Sequence, residues 1–288
     1  MHTIEIPDIN FSREIASEMS ELTDEQFIYF AGLCYQFAGK EITLSDLRTS
    51  MAIKMLSINA KGFELLPESA KMDISENMHR ITELLDFLFE SEGDGLTYNL
   101  NFTRNFIPSI RIRPWLKLEG PAAGLTDITF LQYKDANNYY RAFQENQDEA
   151  DLNRLVAVLY LPTDFGRKHK YHPELAAFFY RHISKLPIAI RWGIFLFYAA
   201  CERYLRYGTI EVDGQEIDLE ILYTETLREK QKAKKPKYDS KAGLAGVALS
   251  LAGTGIFGPI EKVYEQNLYD VLLLLYKQRI EYLNQLEQ

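Results

Sequence analysis

The stretch that decides the fold is residues 125–162, LTDITFLQYKDANNYYRAFQENQDEADLNRLVAVLYLP, the longest run in which apolar spacing, helix caps and breakers agree. Apolar side chains recur at helical spacing in two groups, on either side of the polar break 144–148. The groups are Ile128, Leu131, Ala136, Tyr139, Tyr140 and Phe143, then Leu152, Leu155, Val156, Val158 and Leu159. Asp148, Glu149 and Asp151 place negative charge at the start of the second helix, and Pro162 is predicted to end it. A hairpin of two amphipathic helices is therefore expected.

Helix caps and helical periodicity recur upstream of this hairpin. Thr23 opens a capping box, and Thr43 is predicted to begin a second helix. A third helix is expected over about residues 75–90. Residues 1–12 are expected to form an extended arm, with Ser12 available as a helix cap.

Alternation of apolar and polar residues predicts one or two small β-hairpins. Residues 96–102 alternate as in a half-buried strand, and residues 107–115 are expected to pair with them across a turn at 103–105. Pro114 places one of these strands at a sheet edge. An Asp-Gly turn signal within residues 209–217 predicts a second hairpin.

The remaining apolar runs predict further helices. Pro173 suits the first turn of a helix, which Pro187 is expected to end. The next helix, 188–207, has an uncharged run of ten residues at 192–201, which is shorter than the roughly 20 apolar residues needed to span a bilayer. It is therefore predicted to be a buried core helix. A final long helix is expected over residues 259–286.

The chain is predicted to have a mainly α fold, a multi-helix bundle with one or two small β-hairpins. Residues 1–226 form the expected core domain, with a β-hairpin near 96–117. Residues 227–241 contain seven Lys or Arg and are interpreted as a basic, mobile linker. Residues 242–288 form the expected C-terminal helical segment.

Composition argues against several functional classes. The chain has 288 residues, 47% apolar and 25% charged, which is ordinary for a folded soluble protein. Its formal net charge of −9 repels phosphate backbones, so nucleic acid is not expected as a partner. Cys34 and Cys201 are predicted to be buried thiols, and the N-terminus lacks the basic and apolar regions of a signal peptide. A cytoplasmic protein without membrane association is expected.

The patterns that suggest a cofactor or metal site have simpler interpretations. Residues 253–258 match G-x-G-x-x-G, but a dinucleotide site needs a preceding strand and further βαβ units, whereas one helix follows here. His169, His172 and Glu174 lie among basic residues that would repel a divalent cation, so a solvated loop is favoured over a metal site. No cofactor and no metal are expected.

One pair of carboxylates was considered for acid–base chemistry. Asp127 and Asp135 are eight residues apart in one predicted helix and would project from similar faces. Two carboxylates divide acid and base roles only when burial separates their pKa values, and nothing in the sequence indicates such burial. Helix capping by Asp127 and solvent exposure of Asp135 are favoured, and no enzymatic activity is expected.

Two segments resemble proteins of tailed bacteriophages and prophages encoded in tail-morphogenesis clusters. Gly120-Pro121, followed by LTDITFLQYKDANNYYRAF and DEADLNRLVAVLYLP, resembles a Gly-Pro turn that leads into an aromatic-bearing helix and then a helix ending in a Leu-Tyr pair. Residues 251–279, LAGTGIFGPIEKVYEQNLYDVLLLLYKQR, are similar to the closing helix of some tail-assembly proteins. The two segments cover about a quarter of the chain, and neither motif is specific.

This resemblance implies a non-catalytic assembly protein of the bacterial host cytoplasm that binds other phage structural or assembly proteins through helix-in-groove contacts. Self-association into a homo-oligomer is a further expectation. The positions chosen for partner contact are Tyr139, Tyr140, Leu268, Tyr269, Leu272 and Tyr276. Two alternatives stay open at this point: a structural virion component, such as a connector or ring subunit, and an enzyme with an unrecognised site.

Overall fold

The structure is a computed structural model that divides into two compact units. It describes residues 1–6, 11–58, 68–92, 95–164, 167–212, 214–223 and 243–287. Unit 1 comprises residues 1–102 and 187–197, and unit 2 comprises residues 103–186 and 198–288. The predicted basic linker, 227–241, lies outside the described residues.

Unit 1 combines helices with two antiparallel hairpins. Its strands are β1 His2–Ile6, β2 Phe11–Ile15, β3 Phe89–Glu92 and β4 Gly95–Tyr98, and its helices are α1 Asp24–Ala38, α2 Leu44–Leu56 and α3 Glu68–Glu83. Short 3-10 turns occur at Met19–Glu21 and Asp86–Leu88. β1 pairs with β2, and β3 pairs with β4. Unit 1 also contains the first half of α7, Ile188–Tyr207.

The predicted caps of unit 1 are confirmed. The Thr23 hydroxyl accepts a hydrogen bond from the Gln26 N–H, and the Gln26 side chain accepts one from the Thr23 N–H. Thr43 and Asp46 form the same reciprocal box at the start of α2. Each box satisfies backbone donors that have no partner within the helix, which fixes where the helix begins.

Three predictions for unit 1 were wrong. Ser12 lies inside β2 and caps no helix, because β2 pairs with β1 and the predicted extended arm is instead a pair of strands. The third helix occupies Glu68–Glu83 instead of 75–90. Leu96 pairs with Ser91 of β3 instead of with residues 107–115. β4 thus pairs with the strand that immediately precedes it in the chain.

Unit 2 is built around the predicted helical hairpin. Its helices are α4 Phe130–Asn146, α5 Glu149–Leu159, α6 Pro173–Ile183, the second half of α7, α8 Gly243–Thr254, α9 Ile260–Glu265 and α10 Leu268–Glu287. Its strands are β5 Ser109–Arg113, β6 Leu116–Glu119, β7 Leu161–Asp164, β8 Arg167–Lys168, β9 Thr209–Val212 and β10 Gln215–Asp218. The first four form an antiparallel sheet in the order β5-β6-β7-β8, and β9 pairs with β10.

The central helical hairpin is confirmed, with a correction at its end. Asp148 caps α5, since its carboxylate accepts a hydrogen bond from the Ala150 N–H at 2.8 Å. Pro162 does not end the helix, which stops at Leu159. Pro162 lies in β7 instead, opposite Leu118 of β6. The chain therefore passes directly from the helix into the sheet.

A tight hairpin occupies the segment in which a longer strand pair was predicted. Ile110 pairs with Leu118, and Arg113 pairs with Leu116 across the turn at Pro114 and Trp115. Pro114 is in the turn, and β5 forms one edge of the sheet. The hairpin predicted within residues 209–217 is confirmed as β9 and β10.

The predicted final helix is divided in two. α9 and α10 are separated at Gln266 and Asn267, whose polar groups bond to the segment before α4. The Gln266 carbonyl accepts from the Phe130 N–H at 2.9 Å, and the Asn267 side-chain amide donates to the Thr126 carbonyl at 2.7 Å. Tertiary hydrogen bonds thus replace the helical ones at this position. The helix expected to run to Pro187 ends earlier, at Ile183.

The chain is mainly helical, as predicted, but it has more strand than expected. The described residues contain three two-stranded hairpins and one four-stranded sheet, where one or two hairpins were predicted. Cys34 and Cys201 are buried free thiols, also as predicted. No helix among the described ranges combines the length and the apolar character required to cross a bilayer.

Candidate interaction surfaces

A groove lies on unit 1 where α1, α2 and the start of α7 meet. Its volume is ≈ 640 Å³, and it is called the α1–α2 groove below. Its lining residues are Glu25, Ile28, Tyr29, Gly32, Leu33, Tyr35, Gln36, Glu41, Lys54, Ile188 and Ala189. Gly32 allows two helices to approach closely, because a Cβ at this position would lie 3.2 Å from the Ala189 Cβ. The groove thus has an apolar floor and a charged rim.

The rim of the α1–α2 groove carries more negative than positive charge. The Lys54 Nζ lies 3.3 Å from the Glu25 Oε2 and 5.8 Å from the centre of the Tyr29 ring. The second rim carboxylate, Glu41, is exposed, and among the described residues it has no ion-pair partner. A ligand that offers both an apolar group and a cation would match this surface.

The turn between β5 and β6 in unit 2 presents an exposed tryptophan among cations. Trp115 is 78% exposed, the highest exposure of any large apolar side chain in the described part of the chain. The Arg113 guanidinium lies 5.8 Å from the centre of its ring, and an Arg111 Nη donates to the Pro114 carbonyl at 2.7 Å. Lys117 is also exposed. Residues 111–117 are called the hairpin tip below.

Trp and Arg are the side chains most enriched at the energetic centres of protein interfaces, where a rigid ring and a planar cation lose little entropy on binding. From the sequence, Trp115 is expected only as the last residue of a strand. A signal was nevertheless present, because Trp115 follows Pro114 in a polar, basic turn, where a core residue is not expected.

The residues chosen from the sequence for partner contact differ in exposure. Leu268 and Leu272 are buried within unit 2, with 0% and 5% of their surface exposed. Tyr139, Tyr140, Tyr269 and Tyr276 are half-buried. The Tyr269 hydroxyl donates to the Gly124 carbonyl at 2.7 Å, so it is engaged within the unit. Partner contact at these positions stays a prediction.

A buried polar cluster lies between α4 and α7 in unit 2. Glu202 is 4% exposed, and its carboxylate accepts from the Tyr198 hydroxyl at 3.3 Å. The Arg206 guanidinium lies 3.6 Å from the other Glu202 oxygen. The Tyr140 and Tyr198 rings are 5.2 Å apart, and Tyr133 completes the cluster as a further hydrogen-bond partner of Glu202. Spacing of four residues along α7 places Tyr198, Glu202 and Arg206 on one face.

The phenols of this cluster stay protonated at neutral pH. Burial raises the pKa of Tyr140 to about 12, and the negative charge of Glu202 adds to that effect. Burial, followed by the same carboxylate, also raises the pKa of Tyr133 and of Tyr198. The Tyr133 and Tyr198 hydroxyls therefore bond to Glu202 as donors, and none of the three phenols supplies a phenolate base or nucleophile at neutral pH. The cluster joins α4 to α7 and was not anticipated from the sequence.

The two aspartates considered for acid–base chemistry lie in different local structures. Asp127 was predicted to lie in the helix, but it precedes Thr129, the N-cap of α4, and is therefore outside the helix. Its carboxylate accepts from the Ala122 N–H at 2.7 Å and lies 2.6 Å from the Lys168 Nζ. Asp135 was expected to be solvent-exposed, but its side chain is only 18% exposed. Its carboxylate accepts a hydrogen bond from the Tyr171 hydroxyl at 2.8 Å.

The sequence patterns considered for cofactors and metals have no matching geometry. Gly253 lies within α8, so the G-x-G-x-x-G segment follows a helix instead of the strand that a dinucleotide site requires. His169, His172 and Glu174 belong to no group of three or more potential ligands that could hold a metal ion, in the part of the chain that the structure describes.

The fold and these surfaces define a mainly helical protein with exposed apolar surfaces on both units. No protein-family model, curated protein sequence or solved structure matches the chain.

Proposed function

We propose that this protein is a non-catalytic assembly protein of a bacteriophage or prophage that acts by protein–protein binding in tail morphogenesis. The observation that carries the binding role is the 78% exposure of Trp115 at the cationic hairpin tip. Contact between the apolar indole ring and water is unfavourable, so burial of the ring in a partner would stabilise the complex by about 2 kcal/mol or more.

The α1–α2 groove supports the same role from the other unit. Its apolar floor and acidic rim suit a partner segment that carries an apolar side chain beside a cation. Binding through such surfaces requires no reactive group, no metal and no cofactor.

The phage assignment rests on the resemblance of Gly120-Pro121 with residues 125–162, and of residues 251–279, to tail-morphogenesis proteins. The proposed partners are other phage structural or assembly proteins, together with further copies of the chain. The proposed compartment is the cytoplasm of the bacterial host.

Deletion of the coding sequence from the phage or prophage that carries it tests this role. Electron microscopy is expected to show particles without complete tails, and expression of the native chain in trans should restore them. Rescue by the Trp115→Ala chain should be weaker than rescue by a Phe178→Ala chain, which loses an equally solvent-facing ring elsewhere, 68% exposed. Normal tailed particles in normal numbers after deletion would contradict the proposal.

A structural virion component is the second candidate, because one chain carries both an apolar groove and an apolar projection, as subunits of rings often do. Mass spectrometry of purified particles separates the two roles. An assembly factor should be absent from finished particles, whereas a connector or ring subunit should be present at a fixed number of copies.

A further inference from the structure

The hairpin tip and the α1–α2 groove carry complementary chemistry on the same chain. The tip offers an indole ring with the cations Arg111 and Arg113, and the groove offers an apolar floor with the rim carboxylate of Glu41. Lys117 at the tip and Glu25 at the rim already have partners, with Lys117 lying 3.5 Å from Glu119 and Glu25 lying 3.3 Å from Lys54. We propose that the hairpin tip of one copy docks in the α1–α2 groove of a second copy. This inference rests on the proposed binding role but not on the phage assignment.

The size of the groove suits the proposed occupant. A tryptophan side chain buries up to about 250 Å² and is the largest side chain that a turn can present. The groove volume of ≈ 640 Å³ accommodates one indole ring and one guanidinium beside it.

Electrostatics favour contact at the hairpin tip over contact elsewhere. Two copies with a formal charge of −9 each repel one another over most approaches. The tip concentrates cations, and neither Arg111 nor Arg113 has a carboxylate within ion-pair distance among the described residues. The rim carboxylate of Glu41 likewise has no cationic partner there. Docking brings these unpaired opposite charges together and lowers the repulsion where the copies meet.

The role of β5 as an edge strand gives the same arginines a second use. Exposed cations on an edge strand discourage strand-to-strand pairing between copies, and the register shift between Arg111 and Arg113 bends the edge further. Copies are therefore expected to meet through the tip and not by extending the sheet.

Contact between two different surfaces of identical copies is head-to-tail. Such contacts repeat, and they produce closed rings or open filaments instead of isolated two-fold dimers. Each interior copy would use its tip on one neighbour and its groove on the other. The association should weaken as salt is added, because part of it depends on charge.

Sedimentation velocity of the purified full chain over a wide concentration range provides the first test. The native chain is expected to form species larger than a dimer as concentration rises. Trp115→Ala should weaken the association by about thirtyfold or more, as expected for an interface centre. The matched control is Phe178→Ala, which removes another exposed ring and should leave the association unchanged. Circular dichroism should show the same fold for all three chains, because both side chains are mostly exposed.

A charge exchange provides the decisive test. Arg113→Glu alone and Glu41→Arg alone should each weaken self-association by about tenfold, since each places like charges in the contact. An equimolar mixture of the two variants should associate like the native chain, because each tip then meets a groove of opposite charge. Native chain mixed with either variant should form shorter assemblies than the mixture of the two variants, because the variant docks through its one native surface and its altered surface then ends the assembly.

Three results would overturn the proposal: a native chain that stays monomeric at all concentrations, an association that Trp115→Ala leaves intact, or a charge-exchange mixture that fails to associate. Tip-dependent binding of a monomeric chain to phosphatidylserine vesicles would also overturn it and would assign the tip to a lipid surface. Since these experiments use the purified chain alone, their failure would leave the phage deletion experiment as a separate test.

Discussion

The ring of Tyr160 lies directly against the backbone of Gly120, so close that a Cβ on Gly120 would stand 2.6 Å from the Tyr160 Cζ. The Tyr160 hydroxyl donates a hydrogen bond to the Ile107 carbonyl, and the Lys168 Nζ donates to the Gly120 carbonyl at 2.9 Å. The Gly-Pro turn and the Leu-Tyr pair, which were noted in the sequence as separate parts of one pattern, are therefore in contact. Their contact fixes the end of α5 against the loop after β6.

Gly120→Ala is expected to destabilise the protein by about 1–3 kcal/mol, because the added methyl group overlaps the buried Tyr160 ring and the Asn105 amide. The free energy of unfolding from urea titrations measures this. Gly253→Ala is the matched control, since a Cβ at Gly253 in α8 meets nothing within 4 Å. That change should be neutral or stabilising by up to about 1 kcal/mol. Equal changes in the free energy of unfolding at the two positions would contradict the close contact between Gly120 and the Tyr160 ring.

Tyr160→Phe is expected to destabilise the protein by about 1–3 kcal/mol. The substitution keeps the ring but leaves the Ile107 carbonyl without its buried donor, and an unsatisfied buried acceptor is costly. Tyr282→Phe serves as the control, because the Tyr282 side chain is 45% exposed and water replaces any bond lost. Urea unfolding monitored by circular dichroism compares the two. A stability unchanged in both would show that the hydroxyl bond contributes nothing measurable.

Stability is expected to fall as pH rises from about 10 to about 12. Burial raises the pKa of Tyr140 to about 12, above the ordinary value of 10.0 in the unfolded chain. Between these values the unfolded chain has lost the proton while the folded chain keeps it, so proton release favours unfolding. The stabilisation that the raised pKa of Tyr140 provides is fully present below pH 10, and it is lost as the pH rises through the pKa of Tyr140 in the folded chain.

Phenolate absorbance and circular dichroism, recorded on one sample during the base titration, measure this effect. The tyrosines with a raised pKa, Tyr133, Tyr140 and Tyr198, should ionise at the same pH at which the helical signal is lost. Glu202→Gln is the comparison variant, because it removes the neighbouring negative charge and should lower the pKa of Tyr140. Full ionisation of every tyrosine near pH 10 with the fold intact would be inconsistent with a buried cluster.

Removal of residues 259–288 is expected to lower solubility and destabilise unit 2. Val263, Leu268 and Val271 are fully buried, so the truncation uncovers the apolar surface that they contact. It also removes the Gln266 carbonyl that accepts from the Phe130 N–H. The soluble fraction after expression and the thermal unfolding curve measure the effect.

Removal of residues 281–288 alone is the control for this truncation. Glu281 and Tyr282 are exposed, and the buried residues of α9 and α10 precede them. The shorter truncation should stay soluble and unfold within a few degrees of the native chain. If the longer truncation behaved in the same way, the C-terminal helices would not be part of the core of unit 2.

The sequence by itself determined the local structure. The capping box at Thr23, the helix starts at Thr43 and Asp148 and the break after Tyr207 were all predicted correctly, because a helix terminus depends on residues within one turn of one another. Helical periodicity identified the central hairpin because it too depends on residues that are close together in the sequence. Burial of Cys34 and Cys201 followed from the apolar residues around them.

Tertiary structure alone decided how β3 to β8 pair, where the last helix breaks and which polar groups are buried. The break at Asn267 depends on Thr126, which is 141 positions away in the chain, and Glu202 is buried against Tyr133 of α4. Such contacts leave no periodic signal in the sequence, because neither residue departs from the polar and apolar pattern of its own segment. The same holds for the α1–α2 groove, because the meeting of α1, α2 and α7 results from packing, which local propensity does not encode.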